Sequence, residues 1–293
     1  MHLQEALDQF LVQLQANGRS SHTVAQYDRH ARLFARWFET NRPDADVGDV
    51  EATDVAEFMT SRLATDRPDG QPKKAASVNS LRTSLREFFR YLHESGSLDA
   101  NPARLLRHAR CSPAPPRALS GEARQRLLAV LDEAVSPEAR RDRALFRLML
   151  FAGLRIGSAL GLDVEDIDLE RGELIVRRAK NDAPSVAVVP ASMEYDLREF
   201  TAERTTGPIF VTSVGKRLGA RQAQRRFAAL VGRAGLPQRI RPHDLRHSFA
   251  TTLLERSGDL ALVQRALGHR SIVSTTVYAE ASRCRLHRML SAS

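Results

Sequence analysis

The sequence predicts a mostly α-helical protein of two domains, the second of them α+β. Three observations carry that expectation. Apolar residues recur at the helical period along most of the chain, one short stretch alternates with β-branched residues, and a proline cluster coincides with a step in charge. The cluster is Cys111-Ser-Pro-Ala-Pro-Pro116, with prolines at 113, 115 and 116. Proline donates no backbone hydrogen bond and holds its predecessor extended. A linker over 111–116 is therefore expected between a helical domain at 1–110 and a second domain at 117–293.

Four helices are expected before the linker. Leu3–Ala16 carries Leu3, Leu7, Phe10, Leu11 and Leu14 on one stripe, and Thr23–Glu39 carries Val24, Tyr27, Phe34, Trp37 and Phe38 behind possible caps at Ser20 and Ser21. Thr53–Ala64 places Val55, Phe58, Met59 and Leu63 together, and Ser77–Glu94 does the same with Leu81, Leu85, Phe88, Phe89 and Leu92. Such stripes bury against one another, so the first domain reads as a small bundle with aromatic residues in its core.

After the linker, Ser120 is placed to cap a helix over Gly121–Val135, and a second runs from Glu138 to Ala152, where Gly153 ends it. A short helix follows around Ile156–Leu162. Glu173–Ala179 and Pro184–Val189 read as a two-strand hairpin whose turn holds Lys180-Asn181-Asp182. Helices are then expected over Met193–Glu203, Ala220–Ala234, Pro242–Ser257, Leu260–Leu267 and Ile272–Ala279. No internal repeat or low-complexity tract is evident.

The chain has 293 residues, 42% of them hydrophobic, enough to bury a sizeable core. Stretches free of charge run to only eleven residues, Ala183–Met193 and Thr205–Gly215, against the roughly 20 that a membrane span needs. The N-terminus lacks a basic-then-apolar leader pattern, and the two cysteines, Cys111 and Cys284, make neither a disulfide framework nor a metal cluster. A soluble, cytoplasmic protein is expected. Its 44 Lys and Arg against 35 Asp and Glu leave a net charge of +9, all of it in residues 117–293, because residues 1–116 hold 15 of each sign. A basic second half points to a polyanion, with nucleic acid the first candidate, although a merely solvated arginine-rich surface has the same composition.

The densest chemical cluster is Arg241-Pro-His-Asp-Leu-Arg-His-Ser248. Pro242 suits the first helical position, and His243 and Arg246 then share a face at a helix N-terminus, where free N–H groups favour an anion. His243 and His247, four apart, also match a zinc pair. No third ligand stands at a metal spacing nearby and the neighbours are arginines, so neither metal nor cofactor is expected. A His/Arg pair alone is more often structural. Three further pieces accompany it: Gly153-Leu-Arg155-Ile156 just past a helix break, Leu267-Gly-His269 at a helix end, and Tyr278 nine residues beyond.

In this order and spacing the pieces resemble the tyrosine recombinase (phage integrase) family, to which the Xer recombinases belong. The family's arginine motif is matched by Gly153-Leu154-Arg155-Ile156, its H-x-L-R-H motif by His243-Asp244-Leu245-Arg246-His247, its L-G-H motif by Leu267-Gly268-His269, and its terminal tyrosine by Tyr278. The resemblance covers residues 117–290 well, and the run Thr23…Tyr27…Phe34…Trp37 looks like the family's helical core-binding domain. It implies an N-terminal core-binding bundle, a C-terminal α+β catalytic domain with a small sheet, and a site-specific recombinase that cleaves and rejoins DNA through a 3′-phosphotyrosyl intermediate. By the same resemblance Tyr278 attacks phosphorus, Arg155 and Arg246 bracket the nonbridging oxygens, and His243 helps activate the phenol. Lys180 protonates the leaving 5′-oxygen and His269 donates to a phosphate oxygen. The implied partners are double-stranded DNA and further recombinase subunits, a homo- or hetero-tetramer on two DNA sites, without a membrane. Residues 279–293 are candidates for docking on a neighbour.

Three departures stand out. Ser158 occupies the position where the family usually has glutamate, Glu280 one where it often has histidine, and Lys180 lies about two residues farther from Pro190 than is usual. Arg221, Arg225 and Arg226, on one helix, are candidates for the DNA backbone, a type of contact that gives affinity without sequence choice. With helices from residue 3 onward, no arm-binding domain of the larger integrases is expected. Two other readings share these features: a type IB topoisomerase, and a catalytically idle DNA-binding regulator in which Tyr278 is core.

Overall fold

The computed structural model describes residues 2–111, 118–177, 185–201 and 204–268. The chain divides into two compact units, Met1–Ser112 and Pro113–Ser293.

The first unit is helical: α1 (Leu3–Ala16), α2 (Ser21–Asn41), α3 (Ala52–Thr60), α4 (Arg62–Thr65) and α5 (Ala75–Glu94). Ser20 starts α2 by accepting the Thr23 N–H at 3.2 Å. The aromatic stripes meet as their spacing implies: the Phe34 ring stands edge-on to both Phe58 and Phe89, with centroids 5.3 and 5.1 Å away. The helix expected over 53–64 is two helices, because the backbone turns extended at Ser61. The exposed carbonyls of Leu63 and Ala64 are taken by Lys73 Nζ at 2.6 and 3.1 Å. Helices α2 and α5 run parallel, paired by side chains: Gln26 donates to Ser80 Oγ, and His30 Nδ1 lies 2.8 Å from Ser84 Oγ.

Charge within this neutral unit is segregated. Residues 44–57 hold six acidic side chains and no Lys or Arg, whereas residues 73–86 and 100–111 together hold seven Lys and Arg and no acid. The two basic stretches are one surface, since Asn79 on α5 exchanges hydrogen bonds with the Ala109 backbone at 2.8 and 2.9 Å and Thr83 bonds His108 at 3.0 Å.

The second unit contains α6 (Gly121–Asp132), α7 (Pro137–Phe151), α8 (Ile156–Leu160), α9 (Glu194–Thr201), α10 (Ala220–Arg233), α11 (Pro242–Ser257) and α12 (Leu260–Ala266). Its sheet is antiparallel in the order β1 (Ile167–Asp168), β2 (Glu173–Val176), β3 (Ser185–Val188), with Leu174 opposite Ala187. The hairpin was expected; β1, two residues long, is too short to show a period. The expected turn at 180–182 and the expected helix over 272–279 lie outside the described residues.

Helix α7 is the hub. Ala144, Leu145, Phe146, Leu148 and Met149 are fully buried, so the helix is covered on almost every side, by α6, α8, α9, α10 and α11. Its polar residues are paired: buried Asp142 accepts from Arg141 at 2.7 Å and from Arg226 of α10, and Arg143 reaches Asp196 of α9 at 2.8 Å. A smaller core of Ala250, Leu254, Val263 and Leu267 clamps α12 onto α11.

His30 generates a test of the first unit. Burial, then the charges of Arg29 and Lys73, lower its pKa from 6.5 to about 4. The folded state therefore prefers neutral His30 while the unfolded chain protonates near 6.5, so stability is full above pH 6.5 and falls as pH drops toward 4. The slope is bounded by about 1.4 kcal/mol per pH unit. Urea unfolding from pH 6.5 to 5 is expected to show this loss in the native chain and a flatter profile in His30→Gln.

Candidate active site

Three segments far apart in sequence converge at the N-terminal end of α11. The first is the break after α7. Ala152 closes that helix and Gly153 follows at φ +67°, a left-handed conformation that costs glycine nothing. A Cβ there would also come within 2.3 Å of the Phe249 ring, so the position disfavours other residues twice over. The turn delivers Arg155 to the N-cap of α8, where it makes no side-chain capping bond. Arg155 is half-buried and, among the described residues, forms no ion pair.

The second segment is α11 itself. Pro242 occupies its first turn, Asp244 accepts the Arg241 N–H at 2.8 Å, and Gly258 at φ +67° ends it. The bounds Pro242–Ser257 are those expected, because both ends carry a strong local signal. His243 and Arg246 project from the first two turns.

The third segment is the end of α12. Arg246, only 4% exposed, donates through Nη1 to the Gly153 carbonyl at 2.5 Å and through Nη2 to the Leu267 carbonyl at 2.6 Å. One guanidinium thus joins the backbone of the Gly153-Leu-Arg155 turn to that of Leu267-Gly268. A buried cation is costly unless hydrogen-bonded, and the planar fork of arginine holds two acceptors in fixed directions.

His243 is open to solvent, yet its pKa is lowered, first by desolvation and then by Arg246 and Arg155, with Asp244 opposing. Arg246 and Arg155 are thus both near enough to His243 to oppose its protonation. The His247 ring lies one turn along, edge-on to His243 at 4.6 Å between centroids and 79° between planes. Its pKa is also lowered, chiefly by desolvation, then by His243. Among the described residues no group of three or more His, Cys, Asp or Glu converges as metal ligands.

Of the expected site residues, Arg155, His243 and Arg246 come together. Lys180, His269 and Tyr278 lie outside the described residues. Arg221 and Arg225 are exposed on α10, whereas Arg226 gives its Nε to Asp142 and is half-buried. Ser158, at the position of the family's glutamate, is buried. The sequence did not mark Phe249 as part of this architecture, and it gave Ser248, the last residue of the Arg241–Ser248 cluster, no role. Ser248 Oγ accepts the Leu119 N–H at 2.8 Å and donates to the Asp244 carbonyl at 2.8 Å, tying the start of the unit to α11. A hydroxyl one turn after an aspartate at a helix start is the only local hint of it.

The fold brings Arg155, His243 and Arg246 to the start of one helix, and comparison with known proteins gives the class. Residues 117–284 match the model of the phage integrase family, and residues 7–96 match that of the phage integrase N-terminal SAM-like domain. The chain belongs to the phage integrase family, the tyrosine recombinases. Tyrosine recombinase XerC of Vibrio vulnificus is 32% identical over 286 residues, covering 94% of this chain and 86% of that protein. XerC of Escherichia coli O1:K1 is 37% identical over 211 residues, 70% of this chain and 69% of that protein. The fold is shared with the XerH site-specific recombinase bound to palindromic difH substrate in a post-cleavage complex (TM-score 0.75, 23% identity, 94% of this chain and 81% of that one). It is shared too with a lambda integrase tetramer bound to a Holliday junction (TM-score 0.70, 21% identity, 92% and 78%). Among the described residues no helix is long and apolar enough to cross a membrane.

The Gly153 turn yields a direct test. Gly153→Ala adds both left-handed strain and a clash with Phe249, and is expected to destabilise the chain by more than about 1 kcal/mol. Phe249→Leu in the same chain should recover part of the melting temperature, because it relieves the clash and leaves the strain.

Proposed function

We propose that this chain is a site-specific DNA recombinase that uses Tyr278 as nucleophile and Arg155, Arg246, His243, His269 and Lys180 around the scissile phosphate. The observation that carries the reading is that Arg246, beside His243 on α11, is tied to the Gly153 turn that holds Arg155, bringing the three together from separate parts of the sequence. A phosphodiester repels nucleophiles through its nonbridging oxygens and departs as a basic alkoxide, so cleavage requires charge neutralisation and a proton donor. The two guanidinium groups remain protonated throughout and suit the nonbridging oxygens. Neutral His243 accepts the phenolic proton as Tyr278 Oη bonds phosphorus. The P–O5′ bond breaks, Lys180 protonates the departing 5′-oxygen, and His269 donates to a phosphate oxygen. The phosphotyrosyl ester retains the energy of the cleaved bond, so attack by another strand's 5′-hydroxyl reverses every step without ATP or metal.

The XerC relatives, similar over most of their length, support recombination as the overall activity, and the DNA-bound fold relatives support DNA binding and multimeric assembly. The finer reading is a tetramer on two DNA sites, homomeric or with a paralogue, acting in the cytoplasm, with residues 279–293 docking on a neighbour. In the first unit, spanning the proposed core-binding domain at 1–110, the surface built from residues 73–86 and 100–111 meets the DNA backbone. In the second, proposed as the catalytic domain at 117–293 beyond a linker at 111–116, exposed Arg221 and Arg225 do so, and Arg226 contributes from its pairing with Asp142.

Footprinting on genomic fragments is expected to yield a discrete protected site. On a nicked duplex carrying that site, the native chain should form a covalent protein–DNA species and Tyr278→Phe should bind equally but form none. Binding without an adduct in the native chain would leave an idle regulator, and relaxation of supercoils without strand exchange would indicate a topoisomerase. Arg155→Ala and Arg246→Ala should each slow adduct formation by about 2.7–4 kcal/mol, the scale for removing one oxyanion donor.

A further inference from the structure

We infer that His247 is a positioning residue for His243, holding its imidazole in the orientation that proton transfer requires. The inference rests on the recombinase reading above and adds a residue that the proposed mechanism does not use. A general base must present one ring nitrogen within about 2.6–3.2 Å of the proton it takes, and such bases are ordinarily aimed by a third group. His243 sits in the first turn of α11, where a side chain open to solvent has several rotamers available. Among the described residues no hydrogen bond reaches its ring. What limits the ring's plane is contact with His247, one helical turn on, edge-on at 4.6 Å and 79°.

That geometry suits an aromatic pair, in which the positive edge of one ring meets the electron-rich face of the other. It also suits the charge state. The site already holds Arg155 and Arg246, with Asp244 the acid acting on both imidazoles, and both rings are biased toward the neutral form. A lysine or arginine at 247 would add a third cation beside the base, and a small residue would leave the base unsupported. Helix geometry makes the partner specific: only positions three or four residues away lie against the His243 ring on its own helix. Position 246 is committed to the carbonyls of Gly153 and Leu267, and 247 remains.

The test uses the full chain and the nicked duplex carrying the footprinted site. His247→Ala is expected to leave the Kd for that duplex and the melting temperature within twofold and about 2 °C of native, while single-turnover adduct formation slows at least tenfold. His247→Phe, which restores a ring without its nitrogens, should recover most of the rate. In the His243→Ala background, His247→Ala should cost nothing further, because a residue that acts through His243 has nothing left to position. Full additivity of the two substitutions, or an unchanged rate in His247→Ala, overturns the inference while leaving the recombinase reading intact. Absence of any adduct from the native chain overturns both.

Discussion

The arrangement of the second unit depends on a buried guanidinium whose acceptors are backbone carbonyls. Arg246 takes the oxygens of Gly153 and Leu267, which lie 93 and 21 residues away in sequence. Burying a cation costs several kcal/mol unless its donors are satisfied, and these bonds offset that cost only when both carbonyls are in place. The end of α7, the start of α11 and the end of α12 are consequently fixed together. The apolar core supplies the rigidity on which this depends: α7 is wrapped by five helices, and α12 is clamped by Leu254, Val263 and Leu267. Arg155, two residues beyond the Gly153 carbonyl, inherits its position from that junction.

A guanidinium held this way serves two ends at once. Its two backbone bonds set the plane of the guanidinium. After burial, which is the larger cause, Arg246 and Arg155 also lower the pKa of His243. The local architecture and the electrostatics around His243 therefore share one residue, Arg246.

Much of this fold was legible in the sequence, and the reasons differ by element. Helix α1 has the expected bounds because its apolar stripe is regular, and α11 because Pro242 and Gly258 mark its two ends. The split at Ser61 was not legible, because neither Gly nor Pro marks it, and Lys73, which takes the Leu63 and Ala64 carbonyls, lies ten and nine residues further on. Strand β1 was missed because two residues carry no period, and the pairing of Arg226 with Asp142 because nothing local links positions 84 apart. In the candidate site, residue types and spacing pointed to Arg155, His243 and Arg246, and the structure brings those three together. The acceptors of Arg246 were invisible, since every residue has a carbonyl and only the folded chain determines which ones converge.

The layout of charge in the first unit has an effect that its zero total hides. Six carboxylates cluster in residues 44–57, and seven cations spread over residues 73–86 and 100–111. Such a body has no net charge to draw it toward a polyanion from afar, but its charge is uneven along the chain. Near a line of phosphates the surface of residues 73–86 and 100–111 would be attracted and residues 44–57 repelled. Orientation would then be settled within roughly one Debye length of the surface, about 8 Å at physiological ionic strength, so salt would alter how this unit faces its target more than how often it arrives.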